Sequence, residues 1–106
     1  MVEVTLKLPG ETKRKVLKVL REELAGLELR ASRLRKELRA YEEKYGLSSQ
    51  EFARLWDEAV KRRKGLPLPE ETDLDLVEWR ALYELYTGLL NDIEELRESI
   101  RRLCEA

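Results

Sequence analysis

The sequence contains no histidine and a single cysteine, Cys104, among its 106 residues. Histidine is the commonest general base and metal ligand at neutral pH, so its absence removes the usual parts of most hydrolases and metalloenzymes. One cysteine can form neither an internal disulfide, which needs a second cysteine, nor a cysteine-based zinc site, which needs several ligands. The sequence therefore predicts a protein that is not an enzyme, with no catalytic residues, no metal ligands and no cofactor.

Long apolar runs are also missing. No stretch approaches the ~18 apolar residues that a membrane-spanning helix needs, and the first residues lack the charged-then-apolar layout of a signal peptide. We therefore expect a cytoplasmic protein in a reducing compartment, with no membrane partner. Amide side chains are scarce as well: Gln50 and Asn91 are the single glutamine and the single asparagine, whereas 41% of the residues are charged. This bias is typical of proteins from thermophiles.

An excess of charge of one sign is absent too. The chain has 21 basic and 22 acidic side chains, a net charge of −1, and is 42% apolar. Disordered chains combine a large net charge with few apolar residues, so this chain is expected to fold. Its length fits a single domain, residues 1–106.

Apolar and polar residues alternate at the start of the chain, over residues 2–8. This pattern places four apolar side chains on one face of a predicted β-strand, namely Val2, Val4, Leu6 and Leu8. No second strand pattern follows, and a lone strand leaves backbone amides and an apolar stripe unpaired. We therefore expect two copies of the chain to pair antiparallel through residues 2–8 and form a homodimer.

Two long heptad patterns dominate the rest of the sequence. Apolar residues spaced alternately three and four apart predict long helices over residues 11–45 and 73–104 that pack in a coiled coil. The first seam is Leu17, Leu20, Leu24, Leu27, Ala31, Leu34, Leu38, Tyr41 and Tyr45. The second is Trp79, Leu82, Tyr86, Leu89, Ile93, Leu96, Ile100 and Leu103.

A shorter helix is predicted between the two long ones, over residues 48–64. Ser48 is a favourable N-cap residue, and Glu51, three residues later, is placed to hydrogen-bond back to the backbone amide of Ser48 as in a capping box. Leu47 and Phe52 are placed to pack on each other as a hydrophobic staple. Gly46 suits the left-handed stop of the helix before it. Prolines make residues 65–72 a stiff, extended connector.

The charges of the two long helices favour pairing within one chain. Residues 11–45 carry 11 basic and 7 acidic side chains, whereas residues 66–106 carry 4 basic and 11 acidic ones. The sequence therefore predicts an all-α fold: an antiparallel coiled-coil helical hairpin with a short third helix at its tip and a short N-terminal β-strand. The third helix is expected to bury Phe52 and Trp56, and to cover the apolar residues that widen the last helix: Val77, Tyr83, Leu85 and Leu90.

One charged cluster is a candidate partner-binding surface. Five carboxylates fall within nine residues: Glu70, Glu71, Asp73, Asp75 and Glu78. A solvated helix start accounts for part of this density, and docking into a basic groove of a protein partner is the functional alternative. Two basic runs, residues 13–21 and 61–64, are candidates for nucleic-acid contact, although helix-end charge and pairing within the chain explain both more simply.

Three segments together resemble a family of small prokaryotic helical proteins. They are VTLKLPGE at 4–11, YEEKYGLSSQEF at 41–52 and DLVEWRALYE at 75–84. The chain resembles antitoxin-like proteins that are encoded beside genes for toxin-like RNases. The resemblance implies a non-enzymatic interaction protein that binds and neutralises a protein partner, with such an RNase as the candidate. Two other hypotheses remain open: a structural or chaperone-like coiled-coil subunit, and a small nucleic-acid-binding protein.

Overall fold

The computed structural model describes residues 9–62 and 73–105, which form three helices: α1 (Gly10–Tyr45), α2 (Ser49–Lys61) and α3 (Asp73–Glu105). Helix α1 begins one residue before the predicted bound, and α2 ends at Lys61 rather than at residue 64. The predicted strand at residues 2–8, with Val2, Val4, Leu6 and Leu8, lies outside the described residues, as does the predicted connector at 65–72.

Helices α1 and α3 pack against each other as a hairpin. Three side-chain contacts set their direction, because residues early in α1 meet residues late in α3. Arg21 Nη2 lies 3.7 Å from Cys104 Sγ, Arg97 Nη2 lies 3.1 Å from Glu28 Oε2, and Lys44 pairs with Asp75 at the other end. The helices are therefore antiparallel, in a rod of 60 × 29 × 17 Å.

The heptad seams form the contact between the two long helices, as predicted. Leu17, Ala31 and Leu38 on α1, and Trp79 and Ile93 on α3, are buried, and the other seam residues are half-buried. We call the end of the rod where α1 stops and α3 starts the tip, and the opposite end the base.

Helix α1 stops at a left-handed glycine, as its sequence predicts. Gly46 has φ +65°, and its amide donates to the Glu42 carbonyl. Ser48 then caps α2, because its hydroxyl accepts from the Glu51 amide at 3.1 Å. The expected reach of Glu51 back to the cap is wrong: that carboxylate pairs with Arg54. A carboxylate of α1 instead accepts a hydrogen bond from the first turn of α2: Glu42 Oε2 lies 2.8 Å from the Ser49 amide nitrogen.

An aromatic cluster fixes α2 to the tip. The Phe52 ring stacks on the Trp79 ring at a centroid distance of 3.9 Å, and Trp79, 1% exposed, is among the most buried side chains. Tyr41 and Tyr45 stack on Trp79 as well, while Trp56 meets Phe52 edge-on. The predicted packing of the third helix is therefore confirmed for Phe52, and Trp56 packs against the same cluster but is only partly buried.

The expectation that α2 covers the widened apolar face of α3 is only partly right. Tyr83 packs against the aromatic cluster, but Val77, Leu85 and Leu90 are 51%, 59% and 42% exposed. The reason is geometric: α2 has 13 residues and lies on the side of α3 that carries Tyr83. Residues 77 and 85 project from a different side of the helix, at 100° per residue.

Candidate partner-binding surface

One of the five predicted acidic residues, Asp75, joins α1 to α3 at the hairpin tip. Tyr45 Oη donates to Asp75 Oδ2 at 2.9 Å, and Lys44 Nζ pairs with the same oxygen. Glu78 lies near enough to Tyr41 for its carboxylate to help raise the pKa of the Tyr41 hydroxyl. Asp73 is the first residue of α3, and Glu70 and Glu71 lie outside the described residues. Part of the acidic cluster thus joins α1 to α3, and its role in partner binding stays a prediction.

These contacts shift the pKa values of the groups involved. The hydrogen bond from Lys44, followed by the one from Tyr45, lowers the pKa of Asp75, because both donors favour the charged carboxylate. Desolvation, with a smaller contribution from the nearby Glu78 carboxylate, raises the pKa of Tyr41 to about 12. Asp75 therefore stays ionised and Tyr41 stays neutral through the physiological range.

An exposed apolar stripe runs along the first half of α3, beside this acidic cluster. Its members are spaced three or four residues apart and share one side of the helix: Leu74, Val77, Ala81, Leu85 and Gly88. Leu74 is 79% exposed, and Val77 and Leu85 exceed one half. Nothing else in ranges 9–62 and 73–105 covers these side chains. We call this set the α3 stripe.

The surroundings of the α3 stripe are acidic. Between residues 74 and 92 there are four carboxylates, Asp75, Glu78, Glu84 and Asp92, and one cation. That cation, Arg80, is directed to α2, where its Nη2 lies 3.2 Å from Asp57 Oδ1. An apolar stripe with acidic flanks and no available cation fits a partner whose own apolar contact is surrounded by basic residues.

The predicted basic runs are less available than their sequence implies. Lys15 pairs with Glu11 at 3.7 Å, and Arg21 contacts Cys104. Residues 63 and 64 lie outside the described residues. A basic set that was not predicted follows in α1 instead, where Arg30, Arg33, Lys36 and Arg39 are exposed within ten residues.

Sequence reasoning also missed a buried polar residue among the described residues of the tip. Ser49 is 3% exposed, and its hydroxyl accepts a hydrogen bond from Trp79 Nε1 at 2.9 Å. The signal available in the sequence was weak, because a serine beside an N-cap serine is usually a surface residue of the first turn.

Comparisons with protein-family models, curated proteins and solved structures found no match. The resemblance to antitoxins therefore stays a prediction from the sequence. Within the described residues, no group of three or more acidic or cysteine side chains is arranged to hold a metal ion. No described helix combines the length and apolarity needed to cross a membrane.

Proposed function

We propose that this chain is a non-enzymatic interaction protein, antitoxin-like, that binds and neutralises a basic protein partner through the α3 stripe. The observation that carries the proposal is the exposure of Leu74, Val77 and Leu85 in one line. Contiguous apolar surface on a soluble protein marks interaction sites, whereas apolar residues exposed singly are normal.

Charge selects the kind of partner. If two copies of this chain met through the α3 stripe, Glu78 and Glu84 of each would face acidic residues of the other, and like-charge contacts oppose association. A basic partner turns the same carboxylates into attractive contacts and gains in association rate. The RNase-like partner implied by the sequence resemblance has this character, because it must bind a polyanion.

The proposal is tested with the product of the adjacent gene, because the resemblance implies that the partner is encoded there. The two proteins are mixed, and complex formation is measured by calorimetry and light scattering. We expect Val77→Lys and Leu85→Lys to weaken binding at least ~10-fold, a loss of about 1.4 kcal/mol, because each variant removes apolar contact and repels a basic partner. Co-expression of the unchanged chain is expected to restore growth of cells that express the neighbouring protein.

Matched controls lie on α1. Val19 and Leu29 are as exposed as the stripe residues, at 62% and 54%, but they are isolated on a helix rich in cations. Val19→Lys and Leu29→Lys are expected to bind normally, and thermal melts should show that all four variants fold. Equal binding by stripe and control variants would contradict the role of the α3 stripe, and no binding to the neighbouring protein would contradict the function.

A second candidate, nucleic-acid binding, is favoured by the cations of α1. Arg30, Arg33, Lys36 and Arg39 are all exposed, and clustered cations bind phosphates with a strong dependence on salt. Retention on a DNA column that falls steeply with salt, and that is lost in Arg33→Glu with Lys36→Glu, would favour this candidate. Retention that those substitutions leave unchanged would exclude these cations as the contact.

A further inference from the structure

A second surface, separate from the α3 stripe, lies in the middle of the rod. Between α1 and α3 there is a groove of about 490 Å³. Its floor is apolar, formed by Ala31 and Ile93 with Tyr86 and Leu90 beside them. Leu90 is 42% exposed, so the floor is open to solvent. We call this feature the open groove.

The open groove lies on the same side of the α1–α3 hairpin as the surface on which α2 packs, which we call the seat of α2. On α3, Tyr83, Leu90 and Arg97 are spaced by seven residues and therefore share one side of the helix. Tyr83 packs against the tip cluster, whereas the next two line the open groove. On α1, Arg35 lines the open groove one heptad before Glu42, the residue that binds α2.

The contacts of α2 at the tip show which kind of helix can pack on this side of the hairpin. An apolar side chain, Phe52, packs between Leu38 and Trp79. Polar groups pair with each long helix: the Ser49 amide with α1 through Glu42, and Asp57 with α3 through Arg80. The occupant of this seat is thus an amphipathic helix with one apolar anchor and a polar contact on either side.

The open groove also has an apolar floor between two polar walls, but the charges of the walls are reversed relative to those that hold α2. Its apolar floor lies between an α1 wall with the cation Arg35 and an α3 wall with the carboxylate Glu94. The Glu28–Arg97 ion pair lies at its far end. On α3 the groove extends from Tyr86 to Arg97, which is 11 residues or about 16 Å at 1.5 Å per residue, the length of three helical turns.

We propose that the open groove binds an amphipathic helix of the protein partner, in line with α2. This helix places an apolar side chain over Ala31 and Leu90, a carboxylate towards Arg35 and a cation towards Glu94. The inference rests on the proposed function, since it assigns a second contact within the same complex. The partner then holds the hairpin by two surfaces, the α3 stripe and the open groove.

The two isoleucines of the chain provide a direct test. Ile93 lines the open groove, and Ile100 lies one heptad further towards the base, outside it. The full chain is labelled with ¹³C at the isoleucine methyl groups and titrated with the product of the adjacent gene, while light scattering reports complex formation. We expect the Ile93 signal to shift or broaden well beyond that of Ile100, which records the general broadening of a larger particle.

A pair of variants tests the energetics. Leu90→Glu is expected to weaken binding at least ~10-fold, whereas Leu29→Glu, a matched exposed leucine on α1, is expected to leave it unchanged. A complex in which Ile93 moves no more than Ile100, or in which Leu90→Glu binds normally, overturns the inference and leaves the proposed function standing. Absence of any complex overturns the proposed function, and the inference falls with it.

Discussion

The hydrogen bond between Ser49 and Trp79 gives the sharpest test of the tip structure. Replacing Ser49 with alanine removes one oxygen from a site that is 3% exposed, and it leaves Trp79 Nε1 with no described partner. The indole itself is 1% exposed, so water reaches it poorly. The variant thus isolates the effect of one buried donor that loses its acceptor.

The magnitude follows from the burial of both groups. A buried donor left unsatisfied costs about 1–3 kcal/mol. Alanine forms helices better than serine by several tenths of a kcal/mol, which offsets part of that loss. We therefore expect a net destabilisation of ~1–2 kcal/mol. For a domain of this size, each kcal/mol lowers Tm by roughly 4–8 °C.

The measurement is a double-mutant cycle by urea denaturation, followed by circular dichroism. Ser49→Ala is compared in the natural chain and in Trp79→Phe, which keeps an aromatic ring but has no N–H group. The loss should largely vanish in the second background, because no donor is then left unpaired. An equal loss in both backgrounds would refute the hydrogen bond as the cause. Ser99→Ala, on the exposed part of α3, is the control for serine removal.

Three further predictions concern other parts of the molecule. Phe52→Ala should cost ~3–5 kcal/mol in urea denaturation, and Trp56→Ala less, because Trp56 is only partly buried whereas Phe52 is 7% exposed; a reversed order would contradict the described tip. The raised pKa of Tyr41, about 12, means that the unfolded chain loses this proton near pH 10 while the folded chain retains it. Stability should therefore fall as pH rises from about 10 to 12, less steeply in Tyr41→Phe, and identical pH profiles would exclude this cause. Deleting residues 1–8 should convert a dimer into a monomer in light scattering; a full-length monomer or a truncated dimer would show that this segment is not the dimer contact.

Much of the fold was predictable because it depends on spacing. Leu38 and Trp79 lie on unbroken heptad seams, and a seam specifies which side of each helix is buried whatever its partner is. Gly46 and Ser48 are local signals that act within one turn, so both ends of that loop were predictable as well. The opposite net charges of the two long helices then favoured a hairpin over a pair of separate coiled coils.

The surfaces were less predictable, because they depend on where α2 lies. Apolar residues such as Val77, Leu85 and Leu90 look alike in sequence to Tyr83, and the position of one short helix decides which of them are covered. The carboxylate of Glu42 shows the same limit. Its bond to the Ser49 amide joins two helices, while the sequence pattern pointed to Glu51 within one.

The antiparallel direction of the hairpin also determines how the molecule resists mechanical load. The start of α1 and the end of α3 both lie towards the base, where Cys104 contacts Arg21, 11 residues into α1. Tension applied between these two ends separates the helices progressively from the base. The packed seam residues therefore lose contact one layer after another, and only one layer opposes the force at a time. The stacked rings of Phe52 and Trp79 lie at the far end and bear this force last. A partner that pulled the hairpin open from its base would therefore meet its greatest resistance at the tip.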